Sequence, residues 1–531
     1  MARRQAKPQA TQEQTLSPVP FCWGCGHPTR VAYHGHRRIT HLQGMCRYTL
    51  VVRRCQQPGC PLYHQGIRPE EEGAAALPHG EFGLDVIAQV GHWRFGEHRS
   101  VPEMHACLRE RGLAVAERTV TGLLHRYEEL VALRVADPVR LRGQFARRER
   151  VVLALDGLQP DVGHEVLWVL RDCLSGTILL ARSLLSSTAG DLVPLIQEVA
   201  AALPVPIVAV ISDGQTSIRR AVATALPDIP HQLCQFHYLR EAATPIYEAD
   251  RHAKTLLKKT VRGVRPIERA LEARNDPQAE AVRGYCLAVR SALTDDGRPP
   301  LDASGLQLQE RLTTIQDSLS RVVEKGGATP ELMRLQRLLA RGLQATLLLW
   351  PPIVLAFGWV HRAAHILNNE EGGTATEVQG RYQVVLDEMR SQRTLQDALA
   401  PAIDRFLRVT ASYWPGLFHC YDLPGLPRTN NDLEHQFGSA RYHTRRASGR
   451  KGADPSMVVR GSVRLVAALV TRHHTFTGAE LRPHNLERWH SLRATLAFRH
   501  KARRAQCRFR RNPTAYLAAL EAQLLTPSLP S

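Results

Sequence analysis

Val151-Val152-Leu153-Ala154-Leu155-Asp156 is a run of five apolar residues ended by a carboxylate, and it sets the reading of the chain on both sides. A short run rich in β-branched side chains is a buried strand. Two more follow, Val166-Leu167-Trp168-Val169-Leu170 and Thr177 to Ala181. A helix begins at Asp191, with Leu192, Leu195, Ile196 and Val199 at helical spacing, and the strand Ile207 to Ile211 then ends at Ser212-Asp213-Gly214. A helix from Thr216 to Leu226 and a strand from Gln232 to Phe236 complete the series. Three strands, a helix, a strand, a helix and a strand, the later strands too apolar to face water, predict an α/β sheet.

Beyond Ala243 the strand signal stops. Leu/Arg/Ala/Glu-rich segments such as Glu331 to Leu349 and Arg381 to Leu407 predict an all-helical region over 244–425, followed by a helix starting near Asn431 in a segment 426–475 and a basic C-terminal region 476–531. Upstream, 80–145 carries helical periodicity, 21–75 is rich in cysteine, and 1–20 reads as a flexible arm.

The chain has 531 residues with 69 Lys+Arg against 50 Asp+Glu, a net charge of +19. That length requires several domains. The basic excess is spread along the chain, which makes a polyanion the expected partner, nucleic acid first. A membrane is not expected: the most apolar run, Leu343 to Val360, is interrupted by Trp350-Pro351-Pro352 and falls short of the roughly 20 residues of a spanning helix. Met1 to Gln14 is polar with no apolar signal core, and 11 cysteines, several in metal-like spacing, suit a reducing cytoplasm.

Cys22-x2-Cys25 and Cys55-x4-Cys60 are paired knuckles flanked by Gly24, Gly26, Pro58 and Gly59, with Tyr48, Leu50 and Val52 alternating as a strand into the second pair. Four thiolates on two turns suit one tetrahedral zinc ion. Cys46 reads as core, and His27, His34, His36 and His64 as surplus to a completed shell. Ser100-Val-Pro-Glu103 is a capping box opening a helix through Arg111. Gly112-Leu113 turns the chain, and a second helix from Glu117 carries Val120, Leu123, Leu124 and Tyr127 on one face and Arg118, Thr119, Thr121 and Arg126 on the other. This is helix-turn-helix spacing, whose free face suits DNA; a helical pair that only packs is the alternative.

Asp156 and Asp213 each follow an apolar strand, where two hard carboxylates suit magnesium. Asp172 reads as a hairpin turn and Asp191 as a helix N-cap. Thr429-Asn430-Asn431-Asp432 supplies caps for a helix with Glu434 in its first turn, Asp432 being the rival ligand. Cys234 and His237, at i and i+3, point to opposite faces unless the strand ends between them, and divide between core residues and active-site support. Arg441, Arg445, Arg446, Arg450 and Lys451 are a solvated face or, beside the DNA-cleaving site that the resemblance given next implies, a phosphate track.

Asp156, Asp213, Cys234-Gln-Phe-His237 and the distant Arg428-Thr-Asn-Asn-Asp-Leu-Glu434-His-Gln-Phe437 together resemble DDE-type insertion-sequence transposases of the Mutator-like superfamily. The zinc ribbon with Arg53-Arg54-Cys55 and the helix-turn-helix are similar to the ISL-three-like branch. The resemblance covers 21–470 and implies an α/β ribonuclease-H-like catalytic core with a large all-helical insertion, the core being 148–243 plus 426–475. It implies two magnesium ions, Asp156 bridging them and Asp213 and Glu434 each holding one, with Cys234 and His237 shaping the site's edge. Its implied partners are double-stranded DNA, as terminal repeats and target, and further copies of the chain in a dimer or higher oligomer; a bacterial, nucleoid-associated location goes with them. A non-catalytic DNA-binding regulator and a structure-specific nuclease on the same fold are the rival readings.

Overall fold

In this computed structural model, Gln12–Leu16 (β1), Thr29–His41 (β2), Gly44–Cys55 (β3) and Gly66–Ile67 (β4) form a first sheet. β2 and β3 are antiparallel, with Arg38 opposite Arg47 and Thr29 opposite Cys55, while β1 runs parallel to β3 on its other edge. Tyr48, Leu50 and Val52 are all buried, as their alternation requires. Ile39, Cys46, Tyr48 and Leu50 pack with Leu16 and Ala76 into a small core of their own, so Cys46 is core. The arm expected over 1–20 is shorter than that reading, because 12–16 pair with β3 through the backbone; residues 1–11 lie outside the described residues. The structure describes residues 12–159, 165–294, 296–393, 397–449 and 455–525. The chain divides into two units, 1–207 with 432–531, and 208–431.

The first unit continues with helices Leu84–Phe95, Val101–Glu110 and Glu117–Val135. The capping box closes on Ser100 and Glu103 as expected, and Gly112 takes φ +78° at the turn. Val120, Leu123, Leu124 and Tyr127 are buried. A Cβ on Gly91 would sit 2.1 Å from the Tyr127 ring, so only glycine lets these two helices approach as they do. Val151–Leu158 (β5), Val166–Asp172 (β6) and Ile178–Leu184 (β7) form an antiparallel meander, and helices Ala189–Ala202 and Pro455–Val470 pack on β7. Thr188, not Asp191, is the N-cap of the first of these; Asp191 is the reciprocal partner three residues on. Asp172 is the turn residue expected, accepting from Ser175 and Leu174.

The second unit begins at Val208, inside Ile207–Ser212 (β8), crosses through helix Thr216–Ala225 and returns as His231–Leu233 (β9), parallel to β8. From Gln235 onward its described residues carry helices and no strand, around one apolar core that includes Tyr238, Leu257, Leu335, Phe357, Tyr382 and Phe406. Pro330–Asn368 is, by length and composition, the one helical run among the described residues long and apolar enough to cross a membrane. It exceeds the sequence expectation because Pro351 and Pro352 fall at the start of helix Trp350–Asn368, where proline leaves no backbone bond unmade. Leu335, Leu339, Ile353, Phe357 and Val360 on this run are buried in the unit's core.

Candidate functional site

The four expected cysteines converge. Cys22, Cys25, Cys55 and Cys60 place their sulfurs within 4.8 Å of one another, with Cys22 to Cys60 at 3.7 Å and Cys25 to Cys55 at 3.6 Å. A tetrahedron of thiolates about zinc, at ~2.3 Å per bond, has edges of roughly 3.8 Å, which two of the sulfur pairs match and which the set as a whole is close enough to reach. Both spacings are far beyond a disulfide bond. Gln57 N–H and Leu62 N–H donate to the sulfurs of Cys55 and Cys60, as metal-bound thiolates need. At Cys60 the Leu62 N–H favours the thiolate, yet burial and the other three thiols push its pKa up to about 12. A cation relieves this mutual repulsion. His27 is spent on the Cys25 carbonyl and His64 meets the Tyr63 ring edge-on.

On the helix Glu117–Val135, Arg118 is exposed and Thr119 partly so, whereas Thr121 bonds back to the Glu117 carbonyl. Arg126 departs from its expected place on the free face. It pairs with buried Glu129 at 2.5 Å and lies over the Trp489 ring, and burial lowers its pKa. Arg460 completes this cluster, bonding Glu128 at 2.6 Å and Glu129 at 3.3 Å. Periodicity could not show that Trp489, some 360 residues downstream, covers that side of the helix.

Asp156 belongs to the first unit and Asp213 to the second. Asp156 stands within β5 and not after it, since Gly157 and Leu158 go on pairing with Trp168 and Leu167 of β6. The carboxylate is buried and accepts the Gly157 N–H at 2.8 Å. Glu434 falls in the first turn of helix Asn431–Ser448, its side chain outside the described residues. Asp432 is exposed and pairs with buried Arg171 at 3.3 Å. Arg441, Arg445 and Arg446 are exposed on the same helix, while Arg450 and Lys451 lie outside the described residues.

Asp213 follows β8 as expected and is held from several sides within the second unit. Its Oδ1 accepts from Gln215 N–H at 3.0 Å. Gly214 takes φ +81°, and a Cβ there would meet the Tyr413 ring at 2.6 Å. Tyr413 donates to the Asp213 carbonyl at 3.1 Å, and Arg219 lies 4.3 Å over its ring while donating to the carbonyls of Gly214 and Ser412. His231 Nε2 lies 2.8 Å from Ser212 Oγ, and burial, aided by Arg219, brings its pKa down to about 4.

Cys234 and His237 correct the sequence reading. β9 stops at Leu233, Cys234 is the N-cap of helix Gln235–Ala242, and His237 is in its first turn. The apolar run Leu233-Cys234-Gln235-Phe236 imitates a strand although the helix has already begun. His237 therefore shares a cleft of about 660 Å³ with Asp213, walled by Arg219, Arg240, Glu241 and, from helix Ala400–Tyr413, Arg405 and Arg408. Buried Cys234 plays a different part. Its sulfur accepts the Asn430 N–H at 3.4 Å, and Gln235 N–H donates to the Arg428 carbonyl at 3.0 Å. The C-x2-H element thus ties down the segment that leads into the Glu434 helix. The arginines of the cleft were not singled out in the sequence, since they come from distant segments; Arg240-Glu241, three and four residues after His237, was the one local signal.

Among the described residues the four cysteines are the one group of three or more metal-ligating side chains that meet. No protein-family model matches the chain, and no curated protein matches it significantly.

Proposed function

We propose that the chain is a DNA transposase with a ribonuclease-H-like core. The observation that carries this reading is the placement of carboxylates along the succession β5-β6-β7-helix-β8-helix-β9. Asp156 is buried in the first of these strands, Asp213 directly follows the fourth, and Glu434 opens the helix entered after a long helical segment. Cys234, which anchors the entry to that helix, links two motifs that stand 196 residues apart in the sequence. The zinc-fitting ribbon and the exposed Arg118 would bind element ends, the charge of +19 favouring a polyanion.

Asp156, Asp213 and Glu434 offer the hard oxygen donors that magnesium takes, and the bound ions would supply activation of the attacking oxygen and stabilisation of the leaving one. The reaction first exchanges a P–O3′ bond for a bond to water oxygen, leaving a 3′-hydroxyl and a 5′-phosphate. That hydroxyl then attacks a target phosphodiester, forming one ester and displacing another 3′-oxygen. Positioning is the protein's main contribution in such chemistry; Tyr413 and Arg219 would set the Asp213 turn, and Cys234 the approach of Glu434.

A pre-cut end with a free 3′-hydroxyl, supplied with plasmid target, tests the reading. Joined product in magnesium supports it. Cleavage without joining would instead favour a nuclease, and binding with neither would favour a regulator.

A further inference from the structure

The cleft beside Asp213 has a composition that holding one carboxylate does not explain. Its walls carry four arginines, His237 and the start of helix Thr216–Ala225 against two carboxylates, Asp213 and Glu241. Two of the arginines are committed: Arg219 to the carbonyls of Gly214 and Ser412, and Arg405 to Glu241 at 3.0 Å. Glu241 in turn accepts from Tyr413 at 3.1 Å. Arg240 and Arg408 are exposed, and among the described residues neither guanidinium makes a hydrogen bond; Asp404, one turn before Arg408 and outside the cleft lining, attracts it electrostatically. They stand on different helices and line the same opening. Like charges placed so repel unless an anion lies between them, and forked guanidiniums match phosphate oxygens. The opening, at about 660 Å³, is too small for a duplex and large enough for a stretch of one strand.

We propose that this cleft seats the sugar-phosphate backbone of a single nucleic-acid strand, with Arg240 and Arg408 holding its phosphates next to Asp213. It rests on the transposase reading for its purpose, and on the cleft alone for its ligand. The helical segment thereby acquires a role: helix Ala400–Tyr413 supplies one wall of a strand-binding seat.

The test uses the full-length chain and two fluorescein-labelled probes, a blunt duplex and the same duplex with a single-stranded flank. Arg240→Gln with Arg408→Gln should weaken binding of the flanked probe about tenfold and lower its salt slope by about 1.4, the value for two phosphate contacts on a single strand. Blunt-duplex affinity and melting temperature should not change, and Lys at both positions should restore most of the slope. An unchanged slope, or equal losses on both probes, overturns the proposal. Magnesium-dependent cleavage by the wild-type chain is scored separately. A cleaving wild type whose double variant binds and cleaves equally well removes the seat and keeps the transposase; a flank-dependent slope without any cleavage keeps the seat and removes the transposase.

Discussion

The backbone turn at Asp213 shows how much structure one position recruits: a left-handed glycine, a tyrosine ring too close for any Cβ, and an arginine stacked on that ring. Asp156→Asn, Asp213→Asn and Glu434→Gln should each leave the fold intact and cut DNA cleavage by several orders of magnitude, with pairs far from additive. Asp432→Asn is the control. Its carboxylate is exposed but pairs with buried Arg171, so weakening that acceptor should cost about 1–3 kcal/mol of stability and keep activity; loss of cleavage there with retention in Glu434→Gln would exchange the two roles. His231 gives a pH signature. Its pKa is about 4 in the folded chain against an unfolded value of about 6.5, so the unfolded state takes up the proton first. Its contribution to stability is complete above about pH 6.5 and drains away as pH falls toward 4. Melting temperature should drop over that window and drop less in His231→Gln, as scanning calorimetry at stepped pH would show; parallel curves would mean the ring is not buried neutral.

At the scale of elements, the ribbon and the helix pair make separate predictions. Metal analysis of the purified chain should give about one zinc per chain, retained in Cys46→Ser and lost in Cys55→Ser; zinc loss in Cys46→Ser would contradict the assignment of Cys46 to the neighbouring core. Arg118→Ala should lower the salt slope of duplex binding by about one unit. Arg126→Ala should instead cost about 1–3 kcal/mol of stability, because it strips a partner from buried Glu129; a changed slope with unchanged stability would return Arg126 to the DNA face. The two cases also show what the sequence made legible. Cysteine knuckles and the capping box are local, so spacing alone reveals them, and β5 and β8 announce themselves as apolar runs. β1 did not, because Gln12–Thr15 is polar and exposed, with neither an apolar run nor an alternation to mark it. The end of β9 was misplaced because an apolar cysteine serves as the cap of the next helix. The cleft was invisible for another reason: Arg219, Arg408 and Tyr413 meet only after the helical segment has folded back.

The whole chain carries a ribbon fitted for a metal, a helix, Glu117–Val135, locked to helix Pro455–Val470 through buried Glu128 and Glu129, and acidic residues in or directly after strands. A basic chain without catalytic carboxylates would still bind DNA, so binding cannot decide what the protein does. Cutting can. The most direct measurement is to incubate the purified full-length chain with a supercoiled plasmid bearing the DNA that flanks its own coding sequence, with magnesium or with a chelator, and to map any new strand ends. A transposase should leave magnesium-dependent breaks at fixed positions on the two flanks, ending in 3′-hydroxyls and absent with Asp213→Asn. No breaks in magnesium, or equal breaks with Asp156→Asn, Asp213→Asn and Glu434→Gln, would contradict that function.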